Sequence, residues 1–366
     1  MKKSALSILI MVVFLVPVCS GEVSTGAIDN VREKQVLSDR DFSVIDEFVN
    51  NAVDQFLQIN NFSSVSRYRA VILSRKSNTQ ESSRQQYESQ FYESAQQAIG
   101  DALEEAEKIE DPQRRFKVLV NLLVLADGLE NPRVSQAAID FLDSPKKSVR
   151  YWAVHCLTNP QVTEELNNNP SDYAGLGDTI ISEFEKIVGD CGYETAVLIT
   201  EFAANYNQGG ELLIKIAKDR LEKYENWNVD NVYFDVELLE GLCKKIVQAS
   251  GAERNRFARH FSQLYSYAIQ RYIKGKDILT NQQKSKLASL IVEIERSCIG
   301  KRMQLPQVDI KKAVENNDYT KLWLEHNRLL GDDTKRGRIA LAYDFDYGEK
   351  PDGTRRTAPL SLSEPK

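Results

Sequence analysis

Along most of this chain apolar residues recur every three to four positions, and the runs are separated by short polar breaks, the signature of amphipathic helices. Ile45, Phe48, Val49, Ala52, Phe56 and Leu57 share one helical face behind a cap-like Ser38 or Asp41. A second helix begins near Ser64 with Tyr68, Val71 and Ile72. Between Ser74 and Gln90 apolar residues nearly vanish, which predicts an exposed helix or a mobile connector. The spacing returns from Phe91 to Ile109 and stops at Asp111-Pro112, and again from Phe116 to Ala126 before Gly128. After a polar break over 166–177, the best candidate hinge, helices are marked by Ile180 to Val188, Ala196 to Phe202, Leu212 to Leu221, Val236 to Ile246, Phe257 to Tyr272, Leu287 to Ile299 and Tyr319 to Leu330. No run alternates with period two for long enough to suggest a sheet. The pattern predicts an all-α fold of antiparallel hairpins stacked as an irregular α-solenoid. Its blocks are 38–165 and 178–330, between a poorly ordered leader over 21–37 and a polar tail over 331–366.

Residues 131–160 carry the clearest unit. Val134, Ala137, Ala138, Phe141 and Leu142 form one apolar stripe, Asp143-Ser144-Pro145 breaks it, and Val149, Trp152, Ala153, Cys156 and Leu157 form a second stripe behind a cap-like Ser148. Two helices this short leave apolar faces that only stacked neighbours can cover. The segment resembles a HEAT repeat, with Asp143 in the turn, Val149-Arg150 opening the second helix, and Ala153 and Leu157 at the small and large apolar positions. The resemblance implies an armadillo-like superhelix whose usual work is to bind other macromolecules.

The amino terminus adds a location. Lys2-Lys3, an apolar run from Ala5 to Val18 and small residues at Ser20 and Gly21 describe a secretory signal peptide over 1–20. The mature chain is therefore expected outside the cytoplasm, periplasmic or secreted, and the short basic start looks bacterial. Cys19 raises an alternative of lipid anchoring, which the bulk of Val18 disfavours. No later stretch is long and apolar enough to be a transmembrane span.

Composition then narrows the partners. With 42% hydrophobic residues the chain has ample core material, and a net charge of -6 argues against nucleic acid as a partner, because phosphate contacts need a basic surface. Cys156, Cys191, Cys243 and Cys298 show no disulfide framework and lie near apolar stripes, so buried free thiols are expected. No HExxH helix, nucleophile elbow, phosphate loop, dinucleotide fingerprint or CxxC pair occurs, so no catalytic, metal or cofactor residues are assigned. His155 and Cys156 are neighbours, but adjacent helical positions point about 100° apart and do not serve one atom. Asp344, Asp346 and Gly348 space their carboxylates as a calcium loop does, while the third acidic ligand and the distal Glu are missing.

Tyr265 and Tyr272 lie seven positions apart on the face of Phe261 and are the candidate binding residues, as the wall of a groove. The expected function is a binding or scaffolding module for a protein or extended polymer partner in the bacterial envelope. The alternative is an envelope hydrolase whose carboxylate pair assembles from several hairpins.

Overall fold

The computed structural model describes residues 24–59, 61–306 and 309–365. The signal-like segment and Cys19 lie outside these residues. The described chain is helical: α1 (Gly26–Arg32), α2 (Asp39–Gln58), α3 (Val65–Leu73), α4 (Glu81–Glu107), α5 (Pro112–Leu129), α6 (Pro132–Ser135), α7 (Lys147–Leu157), α8 (Pro160–Asn168), α9 (Leu176–Ile187), α10 (Tyr193–Asn205), α11 (Gly210–Glu225), α12 (Tyr233–Gln248), α13 (Gly251–Lys274), α14 (Asn281–Ile294), α15 (Ile310–Glu315), α16 (Tyr319–Leu330) and α17 (Arg338–Ala342). Among the described residues only two isolated β-bridges occur, Gly331 with Arg336 and Glu349 with Arg355. None of these helices is long and apolar enough to cross a membrane.

Three helices start by the same local device. Pro112, Pro132 and Pro160 occupy first turns where no amide donor is needed. The side chains of Asp111, Asn131 and Asn159 just before them accept from the amides of Gln113 at 2.9 Å, Arg133 at 3.0 Å and Gln161 at 3.0 Å. Ser38 rather than Asp41 precedes α2, and the Asp41 carboxylate accepts from the Ser38 amide at 3.0 Å.

Part of the packing follows two series of helix contacts. In one, α5 lies on α7, α7 on α10, α10 on α12 and α12 on α14; in the other, α9 lies on α11, α11 on α13 and α13 on α16. Contacts between α10 and α11, α11 and α12, and α12 and α13 link the two series over a continuous apolar core.

Besides α8 and α15, which the periodicity does not mark, four segments differ from it. Residues 26–32 of the leader form α1, because Ile28 and Val31 bury against α2 and Arg75 holds Asp29 through two contacts of 2.9 Å. The polar segment 74–90 is not an open connector: Asn78, Ser83 and Tyr87 are buried, and their polar atoms find partners within the protein. Ser83 donates to the Lys34 carbonyl at 2.5 Å and Tyr87 to the Arg75 carbonyl at 2.8 Å. In the 131–160 hairpin the first rod is a single α-turn followed by a 3-10 stretch, Gln136–Phe141, and α7 opens at Lys147, with Lys146 rather than Ser148 at the cap. Phe141 is buried and Trp152 half-buried.

The fourth segment is the tail, which is built into the fold. Ile339, Ala340, Phe345, Tyr347 and Leu362 are buried, and the Tyr347 hydroxyl donates to the Leu330 carbonyl at 2.8 Å. The turn out of α16 needs its glycines. Gly331 has φ 110°, and a Cβ there would sit 2.3 Å from the Thr357 carbonyl oxygen, while one on Gly337 would sit 2.3 Å from the Gly331 nitrogen.

Candidate functional site: the extended segment on α13

Every residue of α13 from 261 to 272 is buried, over three turns of helix. Its apolar stripe, with Phe257, Phe261, Leu264, Tyr265 and Ala268, belongs to the core. The opposite stripe is polar: Gln263, Ser266, Gln270 and Lys274 stand at steps of three, four and four residues, which is one helical face. A surface helix would show that stripe to water. Here the segment 360–364 covers it.

That segment is held mainly through its backbone. The Leu360 amide donates to Gln263 Oε1 at 2.8 Å, and the Leu360 carbonyl accepts from Gln263 Nε2 at 3.3 Å and Gln270 Nε2 at 3.0 Å. Gln270 Oε1 accepts from the Leu362 amide at 2.7 Å. Lys274 Nζ donates to the Leu362 carbonyl at 2.6 Å and pairs with Glu364 at 2.9 Å. From across the groove Trp227 Nε1 donates to the Ser363 carbonyl at 3.0 Å. Alternate residues of an extended chain face the same way, so Leu360 and Leu362 offer their polar backbone groups to one partner row. A primary amide has both a donor and an acceptor, and two glutamines therefore satisfy an extended backbone as a neighbouring strand would. The side-chain anchor is Leu362, 1% exposed, whereas Leu360 is 41% exposed.

The groove floor is a neutral polar network. Ser266 Oγ lies 2.8 Å from His326 Nε2 and accepts from Gln270 Nε2 at 2.8 Å, and His326 Nδ1 lies 2.9 Å from Asn327 Oδ1. Ser266 thus donates to Nε2 and the ring proton on Nδ1 goes to Asn327. Burial pushes the His326 pKa down to about 4. Ser266 and His326 have the spacing of a nucleophile and its base, but Ser266 has no exposed surface from which to meet a substrate.

One wall of the groove carries buried charge. Arg220 donates to both Asp235 oxygens and to the Asn231 carbonyl at 2.8 Å, and the Tyr224 hydroxyl donates to Asp235 Oδ2 at 2.7 Å. Burial pushes the Asp235 carboxyl above its ordinary value, and the Arg220 guanidinium and Tyr224 hydroxyl pull the other way. Arg271 lies over the Tyr224 and Trp227 rings, 5.9 and 5.4 Å from their centroids, and so fixes the indole that holds Ser363. A small hollow of about 80 Å³ beside Arg220 is lined by Tyr193, Phe234, Lys223 and Cys191.

Tyr265 and Tyr272 lie in different surroundings, Tyr265 in the core and Tyr272 at the edge of an open hollow that Asn281, Ser285, Val292 and Asn317 also line. Tyr265 is fully buried, stacks on Phe261 and donates to the Ile291 carbonyl at 2.8 Å. Tyr272 is 3% exposed, packs on Tyr319 and reaches Asn317 Oδ1 at 3.3 Å. Through these contacts Tyr265 meets α14 and Tyr272 meets α16. The residues that hold a chain segment, Gln263, Gln270, Lys274 and Trp227, were not singled out. Their signal was a polar stripe on a helix with apolar flanks, together with the Leu360-Ser361-Leu362 alternation.

The remaining candidates are separated. His155 pairs with Asp127 at 3.0 Å, a hydrogen bond that raises its pKa, while Cys156 points to the Ser135 hydroxyl at 3.7 Å. The calcium-like carboxylates are engaged by arginines, Asp344 by Arg336 at 2.9 Å and Asp346 by Arg355 at 3.0 Å. Among the described residues no group of three His, Cys, Asp or Glu side chains is placed to hold a metal ion. Buried acids are engaged separately: Asp41 by Lys34 at 2.6 Å, Asp235 by Arg220, Glu295 by the Lys311 amide at 3.1 Å, and Glu325 by Arg328 at 2.8 Å. Comparison with family models, curated proteins and solved structures finds no match to this chain.

Proposed function

We propose that this chain is an exported, non-catalytic binding module of the bacterial envelope, built as an irregular α-solenoid with the HEAT-like hairpin 131–160 in its first block, and that α13 is its receptor face. Two series of contacts between alternate helices support the solenoid part of this reading. The binding part rests on one observation: the polar stripe of α13 holds an extended chain by its backbone, with a single buried leucine as anchor. Recognition of that kind selects conformation and one apolar side chain more than sequence. The partner is therefore an extended polypeptide segment, and the tail occupies its place in the free protein.

Leu362→Asp in the full chain tests this, because a charge in the anchor site loosens the tail without touching the groove. A fluorescent peptide of residues 357–365 is expected to bind the variant saturably and wild type at least about tenfold more weakly, since an attached tail competes at high effective concentration. Peptides with the leucine of the Leu362 position replaced by Asp should not compete. Equal or absent binding to both folded proteins would overturn the reading.

A further inference from the structure

The groove that holds the tail runs on past it. Helices α11 and α13 lie side by side and parallel, in a register fixed at both ends. Arg256 makes two hydrogen bonds to Glu211, at 2.6 and 2.7 Å, and at the other end of α11 the Glu225 carboxylate accepts from the Tyr267 hydroxyl at 2.9 Å. Arg271, over the Tyr224 ring, keeps the same order. Arg256, His260, Gln263, Gln270 and Lys274 share one face of α13, at steps of four, three, seven and four residues. The tail covers only the later part of that face. It runs in the direction of α13, from Leu360 at Gln263 to Glu364 at Lys274. Before Leu360 it turns aside, where the Arg356 amide donates to the Gly348 carbonyl at 2.7 Å and the Thr357 hydroxyl to the Asp332 carbonyl at 2.6 Å.

The end beyond that turn is basic. Lys218 and Arg256 are exposed, and Arg259 and His260 are half-buried. His260 Nδ1 donates to the Arg256 carbonyl at 2.8 Å, and burial together with the charges of Lys218, Arg259 and Arg256 holds its pKa below the ordinary value. Arg256 is matched by Glu211 and Glu253. Lys218 and Arg259, by contrast, form no ion pair among the described residues, and Arg259 Nε is buried without a partner. The next carboxylates of α11, Glu222 and Glu225, stand one and two turns beyond Lys218, towards the covered end.

We infer that the extended polypeptide received by α13 is acidic just ahead of its anchor leucine, and that Lys218 and Arg259 receive its carboxylates. This rests on the reading of α13 as a receptor face and adds the charge of what that face takes. An extended chain advances about 3.3 Å per residue and a helix about 1.5 Å, so the two turns from Gln263 back to Arg256 match about three residues of bound chain. Acids at the positions of Thr357 and Ala358 in a chain that continues straight along the groove therefore lie beside the basic end. The tail has no acid there, and Arg355-Arg356 before it carry the same sign as the site. An acidic partner thus has an attraction that the tail lacks, which offsets the tail's advantage of being attached.

Two N-acetylated peptides of residues 357–365, one with Thr357→Glu and Ala358→Glu and one with Thr357→Gln and Ala358→Gln, are titrated into the full chain carrying Leu362→Asp. The acidic peptide is expected to bind about tenfold more tightly at low salt, from two exposed pairs at up to about fivefold each. High salt should shrink the difference. Lys218→Glu, at an exposed position, should remove the preference, and Arg259→Gln should reduce it. Equal binding of the two peptides, or a preference that survives both Lys218→Glu and high salt, would overturn the inference and leave α13 a receptor of uncharged segments. If neither peptide binds the folded chain, the receptor reading itself fails and this inference with it.

Discussion

The hairpin over 131–160 and the region around α13 are built from the same kind of amphipathic helix, yet they end in different surroundings. In α7 buried positions alternate with half-buried ones, so its polar face meets water and Trp152 sits at the boundary. In α13 the polar face is as buried as the apolar one over 261–272, because the chain returns and lies on it. The difference teaches that a polar stripe is a surface only until something with matching hydrogen-bond groups covers it. Ordinary surface residues such as Gln263 and Gln270 then become binding residues, and a surface histidine position becomes the interior site of His326.

That contrast breaks most severely at the buried charges. Asp235→Ala leaves Arg220 without its carboxylate in the interior, and a stability loss of about 3–5 kcal/mol is expected in urea unfolding. No ion pair of the hairpin should approach this.

Acid sharpens the contrast. His326 is neutral when folded and takes up a proton when unfolded, so its contribution is intact above its ordinary pKa of about 6.5 and is lost as pH falls toward about 4. The loss is on the order of 3 kcal/mol. His155 has the opposite sign: Asp127 raises its pKa, so its smaller contribution is present below the ordinary value and fades as pH rises through the raised one. Hydrogen exchange between pH 7 and pH 4.5 should therefore show α13, α16 and the 360–364 segment loosening first while α5 and α7 hold. Uniform loosening would show that His326 does not control this region.

Gln270→Ala removes the amide shared by Leu360, Leu362 and Ser266. A cost of roughly 1–3 kcal/mol is expected, with faster proteolysis after the tail and little change in the hairpin. The smallest effect is expected for His155→Ala, about 0.2–1 kcal/mol by the measure of a partly exposed pair.

Much of the helical scaffold was legible because its signals are local. The Asp111-Pro112 break acts within a few residues, although it caps α5 as well as ending the helix before it, and the apolar stripes of α2, α5, α12 and α13 need only a helical period to be seen. Segment 74–90 was harder to read, because the partners of Ser83 and Tyr87 are backbone carbonyls that leave no mark on composition. The site was less legible still. Tyr265 and Tyr272 carried a spacing that core and groove share, whereas Gln263 and Leu360 are 97 residues apart and each looks ordinary alone.

By itself the sequence determined that the described chain is helical, where most of its helices begin and end, and which face of each seeks the core, since propensity, capping and period act over a few residues. The tertiary structure alone decided what covers α13 and which acids meet arginine. Those outcomes depend on segments that approach only after the chain has folded back on itself, and hydrogen bonds between distant backbone and side-chain groups follow position in space, not order along the chain.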